Sequence, residues 1–293
     1  MAGAPGRHHG CPAESEGSGL SMGYHAVLEP AEAGDALSHE LSTAQLLVHY
    51  HAWIFREIRP FLGYQLTEIG GGLGTFSDLL IRQHIASRQD STLEIFEPAK
   101  ALFAQLSQKF SAQQGPLLRA NRLCLTNGYF LSKPNAYDSA VLINVLEHIQ
   151  DDFDLIQKIY TSLLPGGTLI VFSPALPALY SALDKQVGHF RRYRKSDLAS
   201  RFNRAGFNIA KLQYMDTAGI IPWYVINVLG GSCSFNPQLV KMYDRFVVPL
   251  MSRIEHSFGA PIGKNLLIVG RKPSTPGSEA LEDRACLSTE SHA

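Results

Sequence analysis

Short apolar runs alternate along this chain with longer segments whose apolar residues recur at every third or fourth position. The runs predict buried strands at 66–69, 92–97, 122–125, 137–144, 168–172, 207–214 and 265–271. The segments between them predict helices, the clearest at 76–83, 99–110 and 153–164. Because strands that alternate with helices form parallel βαβ units, the pattern predicts an α/β fold with a doubly wound parallel sheet.

An amphipathic segment precedes the first predicted strand. Its apolar residues between 41 and 62 fall largely at three- and four-residue steps. This spacing predicts one helix or two, ending near Pro60 and Gly63. Tyr50 and Trp53 are expected on the apolar face.

A long connection, 215–264, separates the last two predicted strands. Connections of this length usually carry a structure or a role of their own. It contains the apolar run 220–226 and a helix-like pattern at 237–256, so we expect a mostly helical cap. Such a cap would cover an acceptor molecule, form a dimer contact or rest on a membrane surface, and the sequence leaves all three open.

Both ends of the chain differ from its middle in composition. Residues 1–37 are rich in Gly, Ala, Pro, Ser and Glu, residues 273–293 are rich in Ser, Thr, Pro and Glu, and both are expected to be disordered. One domain would then occupy 38–272, with the cap as an insertion at 215–264. We expect no signal peptide and no spanning segment, because no apolar run approaches about 18 residues.

Composition narrows the classes of function. The 26 Lys and Arg balance 26 Asp and Glu, which disfavours a nucleic-acid-binding protein. Four cysteines lie far apart and form no C-x-x-C pair, so neither a zinc site nor a disulfide framework is predicted. Reduced thiols and a cytoplasmic location fit best, and no metal is expected.

The stretch 66–74, Leu-Thr-Glu-Ile-Gly-Gly-Gly-Leu-Gly, carries the first chemical signal. An apolar strand that runs into glycines before a helix predicts a turn with backbone angles that a Cβ forbids. Glycines also let a ligand approach the main chain, and the helix start points free N–H groups at it. The spacing Glu-x-Gly-x-Gly-x-Gly differs from the dinucleotide fingerprint, and the Lys-Ser/Thr ending of a P-loop is missing.

The second predicted strand ends in the acid Glu97. This residue lies 23 positions after Gly74, near the separation expected for a ribose-binding acid in a nucleotide-binding βαβ unit. A carboxylate accepts hydrogen bonds from both hydroxyls of a ribose. Glu94 is the competing acid, but its mid-strand position favours solvent or a neighbouring helix.

Four stretches resemble, in family order over roughly 50–172, class I S-adenosylmethionine-dependent methyltransferases. They are the glycine bend, the strand ending in Glu97, the run Asn-Val-Leu-Glu-His-Ile at 144–149, and Leu-Pro-Gly-Gly at 164–167. The resemblance implies S-adenosylmethionine as the cofactor. It also implies a Rossmann-like, mostly parallel seven-stranded sheet, here with a helical cap inserted before the last strand.

The resemblance also implies roles for residues around the cofactor. Glu68 and the glycines would hold the methionine part, Glu97 the ribose, and Asn127 the adenine, where the family most often has Asp. Asn144 would line the reaction cleft, and Tyr50 would either close over the cofactor or pack in the core. The predicted cofactor-binding set is Tyr50, Glu68, Gly70, Gly71, Gly72, Gly74, Glu97, Pro98, Asn127, Gly128, Asn144 and Val145.

The acceptor side is predicted after the fifth strand. Asp184 followed by Gly-His-Phe-Arg-Arg-Tyr at 188–193 resembles a subgroup often associated with small-molecule or lipid- and sugar-linked acceptors. His189 has the ordinary pKa of a group that accepts a proton near neutral pH, and Tyr193 would orient the acceptor. His148 is a further acid–base candidate, although it can equally stabilise a helix start. Arg191 and Arg192 would bind an anionic group, or pair with Asp184 and stiffen the loop.

These observations predict transfer of a methyl group from S-adenosylmethionine to a small molecule. The acceptor is expected to be apolar, aromatic or lipid-like and to be methylated at oxygen, with nitrogen and carbon open. The alternatives are a non-catalytic partner protein that binds S-adenosylhomocysteine, and a nicotinamide-dependent oxidoreductase. The expected state is a monomer or homodimer, with peripheral membrane contact left open.

Overall fold

The computed structural model describes residues 41–232, 234 and 236–274. The predicted leader at 1–37 therefore lies outside the described residues, as does the predicted tail from 275 onward.

Seven strands form one sheet. Their bounds are β1 Gln65–Ile69, β2 Thr92–Glu97, β3 Leu123–Asn127, β4 Tyr137–Ile143, β5 Leu163–Pro174, β6 Asn208–Met215 and β7 Asn265–Arg271. The spatial order is β3-β2-β1-β4-β5-β7-β6. Neighbours pair in parallel except β7, which runs antiparallel to both β5 and β6. The predicted doubly wound, mostly parallel sheet of seven strands is confirmed.

Helices connect the strands. They are α1 Val48–Ile58, α2 Thr75–Leu80, α3 Lys100–Gln113, α4 Gly115–Arg119, α5 Asp152–Ser162, α6 Ala182–Gln186, α7 Lys195–Ala205, α8 Ile220–Trp223, α9 Pro237–Met242 and α10 Val248–Phe258. Short 3₁₀ turns occur at Arg59–Phe61, Leu146–His148 and Pro177–Leu179. Residues 41–44 are also helical.

Each face of the sheet carries its own apolar core. On one face, α1, α2 and α3 contribute Trp53, Leu80 and Phe110 to a buried cluster. On the other, α5 and α7 contribute Ile159 and Phe202. Because helices cover both faces, a ligand reaches this sheet at the carboxyl ends of its strands, where open α/β sheets usually bind ligands.

Element bounds follow the prediction closely, with one clear difference. β7 coincides with the predicted 265–271, whereas β5 begins at Leu163 and not at residue 168. The earlier start arises because Leu163 pairs with Tyr137 of β4 across a register shift. The predicted helix at 153–164 consequently ends at Ser162.

The segment between β6 and β7 is mostly helical. α8 continues as a π-helical turn, Tyr224–Leu229. α9, the π-helical turn Tyr243–Val247 and α10 then follow one another without a break. We call 220–258 the cap. Over the part of the chain that the structure describes, no helix has both the length and the apolar character needed to cross a bilayer.

Candidate active site

The glycine bend turns the end of β1 into α2. Gly70, Gly72 and Gly74 all have positive φ, which non-glycine residues seldom adopt. A Cβ on Gly70 would lie 2.5 Å from Cγ2 of Val145, and one on Gly74 would lie 2.7 Å from Cδ1 of Leu106. A Cβ on Gly72 would meet nothing nearer than Leu41, at 3.5 Å. Gly70 and Gly74 are therefore needed for packing, while the backbone at Gly72 remains open to a ligand.

Glu97 lies directly beside this bend. One carboxylate oxygen accepts a hydrogen bond from the N–H of Gly72 at 2.8 Å, and the other accepts from the N–H of Ala99 at 2.8 Å. Burial raises the pKa of Glu97 above its usual range, although both backbone hydrogen bonds oppose that shift. The glycine bend was predicted to hold the methionine part of the cofactor, and Glu97 its ribose. The structure brings the two together at one edge of the sheet.

Glu68 is buried in β1 next to the bend. Burial is the main cause that raises its pKa to about 8; nearby Glu97 raises it further, while Ser77 and Lys109 act in the opposite direction. Its Oε2 has no hydrogen-bond partner within the described chain. A buried carboxyl with an unsatisfied oxygen suits a cationic ligand group, because an ammonium would supply both the charge and the hydrogen bond. These residues therefore fit the methionine part of S-adenosylmethionine.

The predicted adenine side lies at the end of β3. Asn127 pairs with Glu97 in the β2–β3 ladder and is exposed. The N–H of Gly128 donates to the carbonyl oxygen of Glu97 at 3.1 Å. Glu94, the competing acid, binds Lys133 Nζ at 2.8 Å and the hydroxyl of Tyr137 instead. Because Glu94 is engaged elsewhere, Glu97 is the acid that lies at the predicted cofactor edge. Pro98 is the next residue in the chain.

Asn144 connects this edge to a large cavity. It follows β4 with φ 53°, in the left-handed region that Asn tolerates better than most residues. Its N–H donates to the carbonyl oxygen of Phe172 at 2.8 Å, which holds the turn. Asn144 lines the cavity, and the next residue, Val145, packs against Gly70.

The cavity measures about 1280 Å³ and lies between the sheet, α1 and the cap. Most of its walls are apolar. Polar side chains also line the cavity, and they include Asn144, Glu147, His189, Arg192 and Lys264. The predicted acceptor side is thus a large, partly open and mostly apolar cavity with a set of polar side chains.

Tyr50 of α1 lines this cavity. Its hydroxyl accepts a hydrogen bond from Nδ2 of Asn265 at 2.6 Å. The N–H groups of His49 and Tyr50 donate to the carboxylate of Asp244 in the cap, at 3.0 and 2.9 Å. These bonds fix the start of α1 against the cap, so Tyr50 is held as part of the cavity wall.

His189 is held between two buried carboxylates. Its Nδ1 lies 2.9 Å from Oδ1 of Asp184, and its Nε2 lies 4.0 Å from Oε1 of Glu147. The backbone fixes the same arrangement: the N–H of His189 donates to the carbonyl oxygen of Asp184, and the N–H of Phe190 to that of Glu147. An ionised carboxylate only accepts, so Nδ1 carries the hydrogen and Nε2 is the basic nitrogen.

Asp184 organises this part of the site. Burial alone would raise its pKa, but hydrogen bonds from His189 and Arg192 lower it below its usual range. Arg192 donates to Oδ1 through Nε and also contacts it through a terminal nitrogen, both at 2.9 Å. The other oxygen accepts from the N–H and hydroxyl of Ser181, which closes a capping box at the start of α6. Asp184 therefore stays ionised beside the imidazole.

Glu147 and His148 follow Asn144 in a 3₁₀ turn. Oε2 of Glu147 accepts from the hydroxyl of Ser173 at 3.0 Å. The ring of His148 meets that of His189 edge-on, with centroids 4.5 Å apart. Burial first, and then His189, lower the pKa of His148 to about 3, so it is neutral at pH 7.

Within the described chain, Glu147, His148 and His189 form the group of side chains best placed to bind a metal ion. One ligand atom each from Glu147, His148 and His189 lies within 4.8 Å of the others. Asp184 would orient His189 as carboxylates commonly orient metal-bound imidazoles. The expectation that no metal binds remains a prediction.

Tyr193 and Arg191 are not brought to the cavity, and both predictions need correction. The hydroxyl of Tyr193 donates to Oδ2 of Asp152 at 2.8 Å, and its ring is buried in the core. Arg191 pairs with the same aspartate at 2.9 Å. The strand-like bridge between Tyr193 and Ala175 directs this tyrosine away from the acceptor space. Of the two predicted arginine roles, pairing with Asp184 is realised only by Arg192.

The sequence did not indicate Lys264 and Trp223. Lys264 lines the cavity and pairs with Oδ2 of Asp216 at 3.1 Å. Arg192 and Lys264 both lie over the ring of Trp223, at 4.4 and 5.5 Å from its centroid. No spacing rule connects these residues, because Arg192 reaches the ring from a different part of the chain.

Comparisons with known proteins agree with this geometry. A family model described as a methyltransferase domain matches residues 50–212. A search of the curated proteins found no significant match.

Similar solved structures show the same fold. YcgJ from Bacillus subtilis is 14% identical with TM-score 0.50, covering 77% of this chain and 100% of its own. The [4+2]-cyclase SpnF is 16% identical with TM-score 0.50, covering 77% and 81%. Phosphoethanolamine N-methyltransferase 2 of Haemonchus contortus, solved with S-adenosyl-L-methionine, is 13% identical with TM-score 0.48, covering 73% of this chain.

The chain spans only 49% of the length of that last protein. At 14% and 16% identity, the likeness to YcgJ and SpnF shows the fold alone. The family assignment comes from the match over 50–212, which exceeds half of the chain and includes the glycine bend, Glu97 and Asn144. It disfavours the nicotinamide-dependent alternative. The chain belongs to the family whose model is described as a methyltransferase domain.

Proposed function

We propose that this chain transfers the methyl group of S-adenosylmethionine to a hydroxyl of an apolar, aromatic or lipid-like small molecule bound in the cavity beneath the cap. One observation carries the proposal. His189, oriented by Asp184, lines a largely apolar cavity that is also lined by Asn144, whose chain neighbour Val145 packs against Gly70 of the glycine bend.

The cofactor would be held by residues already placed at the edge of the sheet. Glu68 and the open backbone at Gly72 suit its methionine part, Glu97 suits the ribose, and Asn127 with Gly128 suits the adenine. When bound, S-adenosylmethionine supplies a methyl group already activated by its sulfonium. The protein therefore has mainly to position the acceptor and remove a proton.

His189 is the residue that would remove this proton. With S-adenosylmethionine supplying the methyl group and S-adenosylhomocysteine leaving, the hydroxyl proton of the acceptor would pass to Nε2 of His189. The resulting imidazolium lies between Asp184, at 2.9 Å from Nδ1, and Glu147, at 4.0 Å from Nε2. Both carboxylates stabilise the positive charge, so the proton transfer is favoured.

The shape of the cavity indicates the class of acceptor. Its volume of about 1280 Å³ exceeds the roughly 300–1,000 Å³ of ordinary ligand pockets. Apolar side chains of α1 and the cap, among them Leu47, Ile54 and Val247, form much of the wall. A large apolar molecule with a single hydroxyl near His189 suits this space better than a small polar one.

The test is methyl transfer by the purified chain, followed by mass spectrometry. The acceptors are long-chain alcohols, phenols and matched amines. His189→Ala should lower the transfer rate by roughly 10²- to 10⁴-fold, the usual effect of losing a general base. Calorimetry should show unchanged affinity for S-adenosylmethionine. Binding of S-adenosylhomocysteine without transfer to any acceptor would favour the non-catalytic alternative.

A chelator separates the base from a metal at the same residues. If His189 acts as a base, transfer should be unaffected by prolonged treatment with a chelator. Loss of transfer that added divalent cation restores would instead assign Glu147, His148 and His189 to a metal.

A further inference from the structure

The outer surface of the cap carries a row of exposed apolar side chains. The outer row, on the helical stretch 237–258, consists of Leu239, Met242, Phe246, Leu250, Ile254 and Phe258. These residues follow one another at steps of three or four, so they share one helix face. Their side chains are between 40% and 87% exposed. A soluble helix normally turns such a face towards a core.

Charge on this helical stretch is one-sided. Its exposed charged side chains within the described residues are basic: Lys241, Arg245 and Arg253. Its two acids point inward, because Asp244 accepts from the start of α1 and Glu255 accepts the N–H groups of Asp216 and Thr217. An apolar row with exposed basic residues is the pattern of a helix that lies in the interface of an anionic membrane.

The outer row also borders the acceptor cavity. Leu239, Met242 and Phe246 line that cavity while remaining 54%, 58% and 64% exposed. They therefore stand at its mouth. An apolar acceptor lying in a bilayer would reach the cavity past these three side chains without crossing water.

We propose that the outer row docks on the surface of a membrane that contains anionic lipid, from which the cavity receives its acceptor. The docking surface stands on its own observations, whereas the delivery of an acceptor rests on the proposed function. A second copy of the chain fits the row less well. It would bring the basic residues of both copies into one interface, without an exposed acid on this stretch to pair them.

The test is co-sedimentation of the full chain with vesicles. One set contains phosphatidylcholine alone, and the other contains phosphatidylcholine with a minority of phosphatidylglycerol. We expect binding to the anionic vesicles that weakens in high salt. Lys241→Gln with Arg245→Gln should remove the preference for phosphatidylglycerol.

Two substitutions in the row test the apolar contact. Leu250→Glu and Phe258→Glu should each lower vesicle partitioning by roughly tenfold or more, since each removes a large apolar side chain from the contact. Neither residue lines the cavity, so transfer to a detergent-dispersed acceptor should be retained. The matched control is Leu131→Glu, which changes a leucine outside the cap that is 69% exposed, against 58% for Leu250, and should leave partitioning unchanged.

The outcomes separate this proposal from the proposed function. Absence of binding to either vesicle set overturns the membrane surface, whether or not methyl transfer is observed. A dimer in analytical ultracentrifugation that Leu250→Glu dissociates, without vesicle binding, assigns the row to a second copy instead. Vesicle binding without methyl transfer to any acceptor supports the surface and contradicts the proposed function.

Discussion

At the scale of single residues, the glycines of one short bend do two different kinds of work. Gly70 and Gly74 are required by packing, since a Cβ at either position would overlap a neighbouring side chain. A Cβ on Gly72 would instead make only ordinary contact with Leu41, at 3.5 Å, and the N–H of Gly72 donates to the carboxylate of Glu97. The composition of the bend is uniform, but the reason for glycine differs from one position to the next.

Substitution of Gly72 should therefore affect binding more than stability. Gly72→Val places a side chain where the ligand would approach, and it strains a backbone with φ 53° by about 1–2 kcal/mol. We expect affinity for S-adenosylmethionine, measured by calorimetry, to become undetectable. Gly166→Val is the control, because Gly166 also has positive φ but lies in the turn that contacts Lys272. Retention of affinity within about threefold in Gly72→Val, a change of under 1 kcal/mol, would exclude the bend as the binding site.

Glu68 should make stability depend on pH. Its folded pKa is about 8, against an ordinary value of 4.5, so folding favours the protonated form. The stabilisation relative to Glu68→Gln is complete below pH 4.5 and is lost as pH rises towards 8, by up to about 1.4 kcal/mol per pH unit. Urea unfolding of both proteins across this range measures the difference. A difference that stays constant with pH would show that Glu68 ionises normally in the fold.

At the scale of elements, short helices and turns set the chemistry of the acceptor side. α6 begins with the capping box of Ser181 and Asp184, and the same aspartate orients His189. A residue that ends up in a helix cap would ordinarily be assigned to helix stability. Here Asp184, besides capping α6, also fixes the tautomer of the His189 imidazole.

The two oxygens of Asp184 allow these roles to be separated. Asp184→Asn should reduce methyl transfer by about 10²-fold or more and alter its pH profile, because the amide no longer favours the Nδ1–H tautomer. Ser181→Ala removes only the hydroxyl on the other oxygen and should leave transfer nearly unchanged. Circular dichroism confirms folding of both variants. Equal loss of activity in the two would make Asp184 a purely structural residue.

The sequence was least informative about Tyr193. It belongs to the same short stretch as His189, and the spacing of the motif does not distinguish the two. The structure separates them, because the Ala175–Tyr193 bridge and the bond to Asp152 direct the tyrosine into the core. Side-chain direction in an irregular segment follows from tertiary contacts that no local pattern encodes.

At the scale of the whole molecule, the cap contacts the first helix, α1, although the two lie almost two hundred residues apart in sequence. The carboxylate of Asp244 accepts the N–H groups of His49 and Tyr50, almost two hundred residues away. It satisfies donors at the start of α1 that lack partners within the helix. The cap is therefore fastened to the same helix that forms one wall of the cavity.

Removal of this contact should destabilise the whole fold. Asp244→Ala should lower the free energy of unfolding by about 1–3 kcal/mol, because it leaves two backbone donors unsatisfied. Asp154→Ala, which removes an exposed pair with Lys158, should change it by less than about 1 kcal/mol. Guanidinium unfolding followed by tryptophan fluorescence measures both. Equal values for the two variants would show that the cap is not fastened at Asp244.

What the sequence determined by itself was everything that depends on local order. The alternation of apolar runs and helical periods defined the sheet, and the glycine spacing with Glu97 predicted a cofactor edge at the carboxyl ends of β1 and β2. These features are encoded locally because backbone angles, strand burial and the meeting of parallel strand ends follow from short stretches of residues.

Only the tertiary structure decided which side chains meet from distant parts of the chain. It placed β7 between β5 and β6, brought Lys264 and Arg192 to one tryptophan ring, and turned Tyr193 away from the cavity. It also showed that the cap forms one wall of a large cavity and exposes an apolar row that borders the mouth of this cavity. These outcomes depend on packing between elements far apart in sequence, where each contact is selected by the shape and charge of the folded whole.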